Sequence, residues 1–307
     1  MATVVQLRAR SQPPPAPGAR VSINGKQLHF IELGASRRGP TVVLESGLGG
    51  GSFAWAWVQP QVARFARIIA YDRAGLAWSE ASDAPHDADE VTGQLHELLE
   101  RIHAPRPYLL VGHSLGGLFV LRFVERYRAE VGGLVLVDAV SPLMQGQVDD
   151  YDYRHPWSVV AFGDMLANLG LVSIFGIPPQ IELLPPGARD AADYFIHSPL
   201  HWDTMLQETA ELERSLAQAR TGAGFGDLPL IVLSATLDRP QGWTELQRGF
   251  AQLSRDYEWR LAPGTDHFGL VTDRTQSAYT VAAIRDVYQR ILSESPLQGA
   301  SLIAHRH

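Results

Sequence analysis

Tyr108-Leu-Leu-Val-Gly112-His113-Ser114-Leu115-Gly116-Gly117-Leu118-Phe-Val-Leu-Arg-Phe-Val-Glu-Arg-Tyr127 is the stretch from which the rest of the chain can be read. It opens with apolar residues that do not alternate with polar ones, the pattern of a strand covered on both faces. Gly-x-Ser-x-Gly follows at once, and then an apolar helix. A serine on so sharp a strand-to-helix turn has strained backbone angles, so the residues two before and two after it must lack bulk. Gly112 and Gly116 meet that need, and the turn lifts the Ser114 hydroxyl to a helix N-terminus. The pentapeptide is short enough to recur by chance, so the strand before it and the helix after it carry most of the discrimination.

The same alternation extends outward in both directions. Thr41–Leu44, Arg67–Tyr71, Leu134–Val137, Leu230–Leu233 and Tyr257–Leu261 read as further short strands. Val91, Leu95, Leu98, Leu99 and Ile102 share one helical stripe behind the acidic start Asp87, Asp89 and Glu90, and Ala278, Val281, Ile284, Tyr288 and Ile291 form another. Val21, Ile23, Leu28, Phe30 and Ile31 flank Asn24-Gly25, a dipeptide suited to a tight hairpin turn. The predicted architecture is α/β: a mostly parallel central sheet flanked by helices, with a hairpin at its start.

Residues 141–227 interrupt this rhythm with helical patches, aromatic residues and scattered prolines, and contain no convincing buried strand. They read as a helical cap inserted after the sixth strand, the core being 19–140 and 228–295; a second independent domain is the alternative. Residues 1–18, with Pro13, Pro14, Pro15 and Pro17, read as a flexible tail, and 296–307 as a second tail.

Composition narrows the functional classes. Lys and Arg number 26 and Asp and Glu 33, a net charge of −7, which argues against nucleic acid or an anionic membrane as the main partner. Hydrophobic residues make up 45% of the 307, enough for a packed core. The absence of cysteine excludes a disulfide framework, a thiol nucleophile and a cysteine zinc site. No apolar run approaches the ~18–20 residues of a membrane span. The apolar stretch in MATVVQLRAR is too short for a secretory signal, so the expected location is the cytoplasm.

With these motifs in view, the chain resembles the α/β-hydrolase fold family, in particular its lid-bearing, carboxylesterase-like serine hydrolases. The likeness runs from about Arg20 to Leu292 and is most specific at Glu45–Gly51, Tyr71–Gly75, Gly112–Gly117 and Gly264–Phe268. It implies a serine nucleophile, an acid and a histidine in that chain order, here Ser114, an aspartate and His267. A base is needed because a serine hydroxyl is a poor nucleophile at neutral pH. His267 lies in Pro263-Gly-Thr-Asp-His-Phe-Gly269, between the last strand and the terminal helix, where the family places its base. For the acid, the resemblance assigns Asp238, after the seventh strand; Asp138, at the end of the sixth, is a site some members use instead. His113 reads as packing beside the nucleophile, and Asp266 as a surface acid.

The tetrahedral intermediate needs fixed donors for its oxyanion. The backbone N–H groups of Leu115 and Leu48 are the candidates, the latter in Glu45-Ser46-Gly47-Leu48-Gly49-Gly50-Gly51. Where the family usually has His-Gly in this loop, the chain has Glu45-Ser46-Gly47, so a different anchor is expected: an ion pair between Glu45 and Arg73 at the end of the neighbouring strand. The glycine run does not make a dinucleotide fingerprint, because Ser52 stands where the last glycine belongs. Pro199 between His197 and His201 argues against a shared metal face. No metal or cofactor is expected.

Dehalogenases and epoxide hydrolases of the family use aspartate where Ser114 stands. The resemblance therefore implies ester hydrolysis of small to medium hydrophobic small-molecule substrates. An amidase, lactonase, carbon–carbon hydrolase or acyltransferase on the same residues is an alternative, as is a ligand-binding protein that kept the scaffold. Trp157, Phe162, Met165, Leu166, Leu169, Leu171 and Phe175 could line the acyl pocket or form the cap's own core. Oligomeric state is not legible.

Overall fold

A computed structural model describes residues 13–145, 154–169, 172, 178–239 and 241–294, the side chains of 154–159 and 294 excepted. Eight strands form one sheet: β1 (Ala19–Ile23), β2 (Lys26–Leu33), β3 (Thr41–Glu45), β4 (Arg67–Tyr71), β5 (Tyr108–His113), β6 (Val131–Val137), β7 (Leu230–Ala235) and β8 (Tyr257–Ala262). Their spatial order is β1-β2-β4-β3-β5-β6-β7-β8, parallel from β4 through β8, with β2 antiparallel to both neighbours. The hairpin forms because Asn24 (φ 49°) and Gly25 (φ 79°) both accept the left-handed conformation that a two-residue turn requires. The inner strands are apolar throughout because helices cover both faces: every residue of β3, β5 and β7 is buried.

Eleven α-helices are described. In the first part of the chain come α1 (Gln59–Val62), α2 (Ala88–Arg101) and α3 (Gly116–Arg126). Between β6 and β7 stand α4 (Arg154–Asn168), α5 (Pro179–Glu182), α6 (Pro186–Ile196), α7 (Pro199–Ala210) and α8 (Leu212–Gln218). The last are α9 (Trp243–Gly249), α10 (Gly269–Thr272) and α11 (Ser277–Glu294). Asp87 caps α2, its carboxylate accepting from the Glu90 amide at 3.0 Å, and Val91, Leu95, Leu98 and Leu99 are buried on one side of the sheet. On the other side lie Val281, Ile284, Tyr288 and Ile291 of α11; Ala278, read as the start of that stripe, is exposed. Thr280 takes its place facing inward.

The inserted helices rest on the ends of the parallel strands. Thr204 of α7 donates to the Gly75 carbonyl, the Trp57 indole donates to the Leu183 carbonyl, and Phe195 of α6 stacks on Phe53. Phe162, Met165 and Leu169, candidates for the acyl pocket, are 50%, 48% and 62% exposed, and Leu166 is half-buried. The side chain of Trp157, and Leu171 and Phe175 altogether, lie outside the described residues. In the proline-rich lead-in, the Pro14 carbonyl accepts from the Trp78 indole at 2.9 Å and the Pro17 carbonyl bonds His29, so this part of the expected tail is docked on the body. Residues 1–12 and 296–307 lie outside the described residues.

Candidate active site

Ser114 sits between β5 and α3 with φ 53°, a left-handed value that a non-glycine residue holds only when its surroundings impose it. Those surroundings explain the flanking glycines. A methyl group at Gly112 would lie 2.7 Å from the Gly116 carbonyl oxygen, and one at Gly116 would lie 2.5 Å from that of Glu45. The second approach also brings the loop after β3 against the serine: a methyl group at Gly47 would be 2.9 Å from the Ser114 Cβ. Leu115 is the N-cap of α3, which places its amide at the helix N-terminus. Ser114, Leu115, Leu48 and His267 all line one cavity of about 520 Å³, a size suited to a small organic ligand.

His267 follows β8 on the loop leading to α10. Its Nδ1 lies 2.7 Å from Asp138 Oδ2, and its side chain is 26% exposed against 3% for the aspartate. This pairing corrects the sequence reading, which placed Asp238 there. Asp138 directly follows β6, and its own amide still bonds the Leu233 carbonyl of β7 at 2.7 Å. Its Oδ1 accepts from the Ala235 amide at 3.2 Å and the Trp243 indole at 2.9 Å. Burial opposes its ionisation, but the His267 hydrogen bond and charge, with the Trp243 bond, outweigh that and hold the carboxyl below its usual range. Asp238, three residues beyond the end of β7, is exposed: Thr236 and Leu237 both donate to the Thr265 carbonyl, and the chain then turns outward.

His113, beside Ser114, is buried, and its Nε2–H donates to the His267 carbonyl at 3.0 Å. Desolvation, with the nearby His267, pushes its pKa down to about 3, so it is neutral at ordinary pH. Asp266 accepts from the amides of Phe268 and Gly269, holding the turn into α10.

The expected Glu45–Arg73 contact is present at 2.7 Å, with both side chains buried, and it belongs to a larger cluster. The other Glu45 oxygen accepts from the Tyr71 hydroxyl. Arg73 Nη1 and Nη2 donate to the carbonyls of Ser46 and Gly47, each at 2.8 Å. Its Nε and Nη2 donate to Glu208 of α7 at 2.6 and 3.0 Å. Sequence reading missed Glu208, Tyr71 and Trp243. The recoverable signal for Glu208 was its spacing from His201, Thr204 and Met205, positions i, i+3, i+4 and i+7 of one helical face.

The rest of the cavity wall is mostly apolar and comes largely from the inserted helices: Val160, Ile181, Leu184, Ile196, Trp202 and Met205. His201 also faces this region, its pKa lowered to about 4, chiefly by burial. Among the described residues, one group of three possible metal-ligating side chains comes together, His96, Glu100 and Glu130. Arg106 pairs with both carboxylates, its guanidinium supplying the positive charge there. No helix among the described residues is long and apolar enough to cross a membrane.

The sequence pattern of the alpha/beta hydrolase family matches residues 42–282, and the chain belongs to that family. It is 38% identical over 264 residues to a provisionally named carbamate hydrolase, RutD, of Variovorax paradoxus, covering 80% of this chain and 91% of the relative. An uncharacterised protein of Schizosaccharomyces pombe is 28% identical over 225 residues; these span 68% of this chain but only 39% of that longer relative. Among solved structures, an epoxide hydrolase, CorEH, superposes with a TM-score of 0.66 at 15% identity, covering 89% of this chain and 98% of its own.

Proposed function

We propose that the protein is a serine hydrolase that cleaves carboxylic esters of small to medium, uncharged, hydrophobic substrates through an acyl-enzyme. The observation that carries this reading is the 2.7 Å bond from His267 to the buried Asp138, with His267 lining the same cavity as a strained, half-buried Ser114. In this reading the Ser114 Oγ attacks the substrate carbonyl carbon while His267 Nε2 takes the hydroxyl proton. Asp138 fixes the tautomer with its bond to Nδ1–H and stabilises the imidazolium. The amides of Leu48 and Leu115 receive the oxyanion. Collapse breaks the ester C–O bond, and His267 returns the proton to the departing alkoxide. Water, deprotonated by the same imidazole, then releases the acid.

The apolar wall favours hydrophobic acyl and alcohol groups. A carbamate is a second candidate substrate, favoured by the 38% identity to the relative with that name, since the same attack on a carbonyl carbon opens it. The test is a chain-length series of p-nitrophenyl esters beside an aryl carbamate, each with wild type and Ser114→Ala. Hydrolysis with burst kinetics, abolished by the substitution, is expected; activity that survives Ser114→Ala overturns the reading.

A further inference from the structure

We propose that Glu208, on an inserted helix, is a positioning residue for the oxyanion-binding amide of Leu48, so that the seating of the insertion sets transition-state stabilisation. The inference rests on the reading of Leu48 given above. Leu48 is bordered by two peptide units. The first joins the Gly47 carbonyl to the Leu48 N–H; the second joins the Leu48 carbonyl to the Gly49 N–H. Arg73 Nη2 holds the first by its oxygen at 2.8 Å, and Glu208 Oε2 accepts from the second at 3.2 Å. In a trans peptide the carbonyl and the N–H point in opposite directions. A guanidinium on the Gly47 oxygen therefore turns the Leu48 N–H away from Arg73, and polarisation makes that N–H a better donor.

Glu208 controls both holds. It receives Arg73 through Nε and Nη2 and, with Glu45, brackets the guanidinium between two carboxylates. The side chains of Glu208 and Arg73 are 0% and 2% exposed, so neither contact is shared with bulk water. Glu208 lies on the face of α7 that carries Thr204, bonded to the Gly75 carbonyl, which ties the helix to the strand ends at a second point. The loop after β3 is thus held by a clamp with one jaw on an inserted helix.

Glutamine at 208 cannot reproduce the clamp. Its single carbonyl oxygen faces three donors, Arg73 Nε, Arg73 Nη2 and the Gly49 N–H, and its amide NH2 must meet at least one of them donor to donor. In Glu208→Gln, kcat with p-nitrophenyl butyrate is expected to fall about 10- to 100-fold, somewhat less than the loss of an oxyanion donor itself. KM is expected to stay within about threefold. The affinity for a trifluoromethyl ketone that forms a tetrahedral adduct falls by the same factor as kcat/KM. Unchanged kcat and ketone affinity in a folded Glu208→Gln, or a rise in KM that accounts for the whole loss, overturns the inference. If that variant does not fold, Glu208→Asp carries the same test, because one methylene less cannot reach Arg73 and Gly49 together. In wild type, the Gly49 amide is expected to exchange hydrogen as slowly as the sheet amides, and rapid exchange is equally fatal. Ser114→Ala separates the two failures: if it abolishes activity while Glu208 variants behave as wild type, only the positioning role falls.

Discussion

Asp138 and Asp238 stand on two turns of the same kind, one after β6 with φ 43° and one after β7 with φ 51°, and yet only the first meets His267. The difference lies in distance from the strand end. Asp138 is the first residue past β6 and is still bonded to β7 through its amide, so its side chain emerges among ordered donors. Asp238 leaves β7 by three residues and is carried past the Thr265 carbonyl into solvent. A carboxylate that steadies an imidazolium needs such fixed donors, and the sheet supplies them only at the margin of a central strand.

Substitutions can break or sharpen this contrast. The largest expected effect is that of Asp138→Asn, which leaves the fold intact but lowers kcat by about 10⁴, as loss of the tautomer-fixing charge does in a serine-protease triad. Asp238→Asn, assayed beside it on the same ester, is expected to behave as wild type; the opposite pattern would reverse the assignment. Next comes Trp243→Phe, which removes the indole donor to Asp138 and is expected to lower stability to urea by about 1.5–3 kcal/mol, the worth of a hydrogen bond to a charged group.

Acid titration should reveal the same asymmetry. The unfolded chain protonates His113 near its ordinary value of 6.5, but the folded protein does so only near about 3. Below pH 6.5 the unfolded state therefore binds more protons, and stability falls as pH drops. Asp138 acts in the same direction lower down, its contribution being lost as pH falls through its depressed value. Urea titrations of His113→Gln between pH 7 and 4.5 are expected to show a shallower decline than wild type. The smallest effect is that of Asp238→Gly, which relieves the left-handed strain and is expected to raise stability by about 0.5–1 kcal/mol, read from the same titrations, with hydrolysis of the test ester unchanged.

Much of this molecule was legible in its amino-acid order. Strands such as β4, read as Arg67–Tyr71, stand out because burial on both faces leaves uninterrupted apolar runs. The hairpin was legible from Asn24-Gly25, and the serine turn from two glycines whose Cβ space is already occupied. The Glu45–Arg73 pair could be inferred because both lie at adjacent strand ends. The choice between the two aspartates could not, because both follow apolar strands and their spacing from His267 says nothing about which turn folds inward. The lining of the insertion was also illegible: Phe162 and Met205 are both large, apolar and helical, but only the second reaches the cavity. That difference depends on how α4 and α7 cross, with Gly163 pressed against the Trp202 ring, which no single helix encodes.

The histidine next to the serine has a mechanical consequence. Because its ring grips the main chain of His267 from inside the protein, the turn at Ser114 and the distant loop carrying His267 are latched together across 154 positions of sequence. An inactivation screen would score His113 beside Ser114 and His267, although its imidazole is engaged with a main-chain carbonyl. In this chain, loss of turnover can signal a broken latch as readily as lost chemistry.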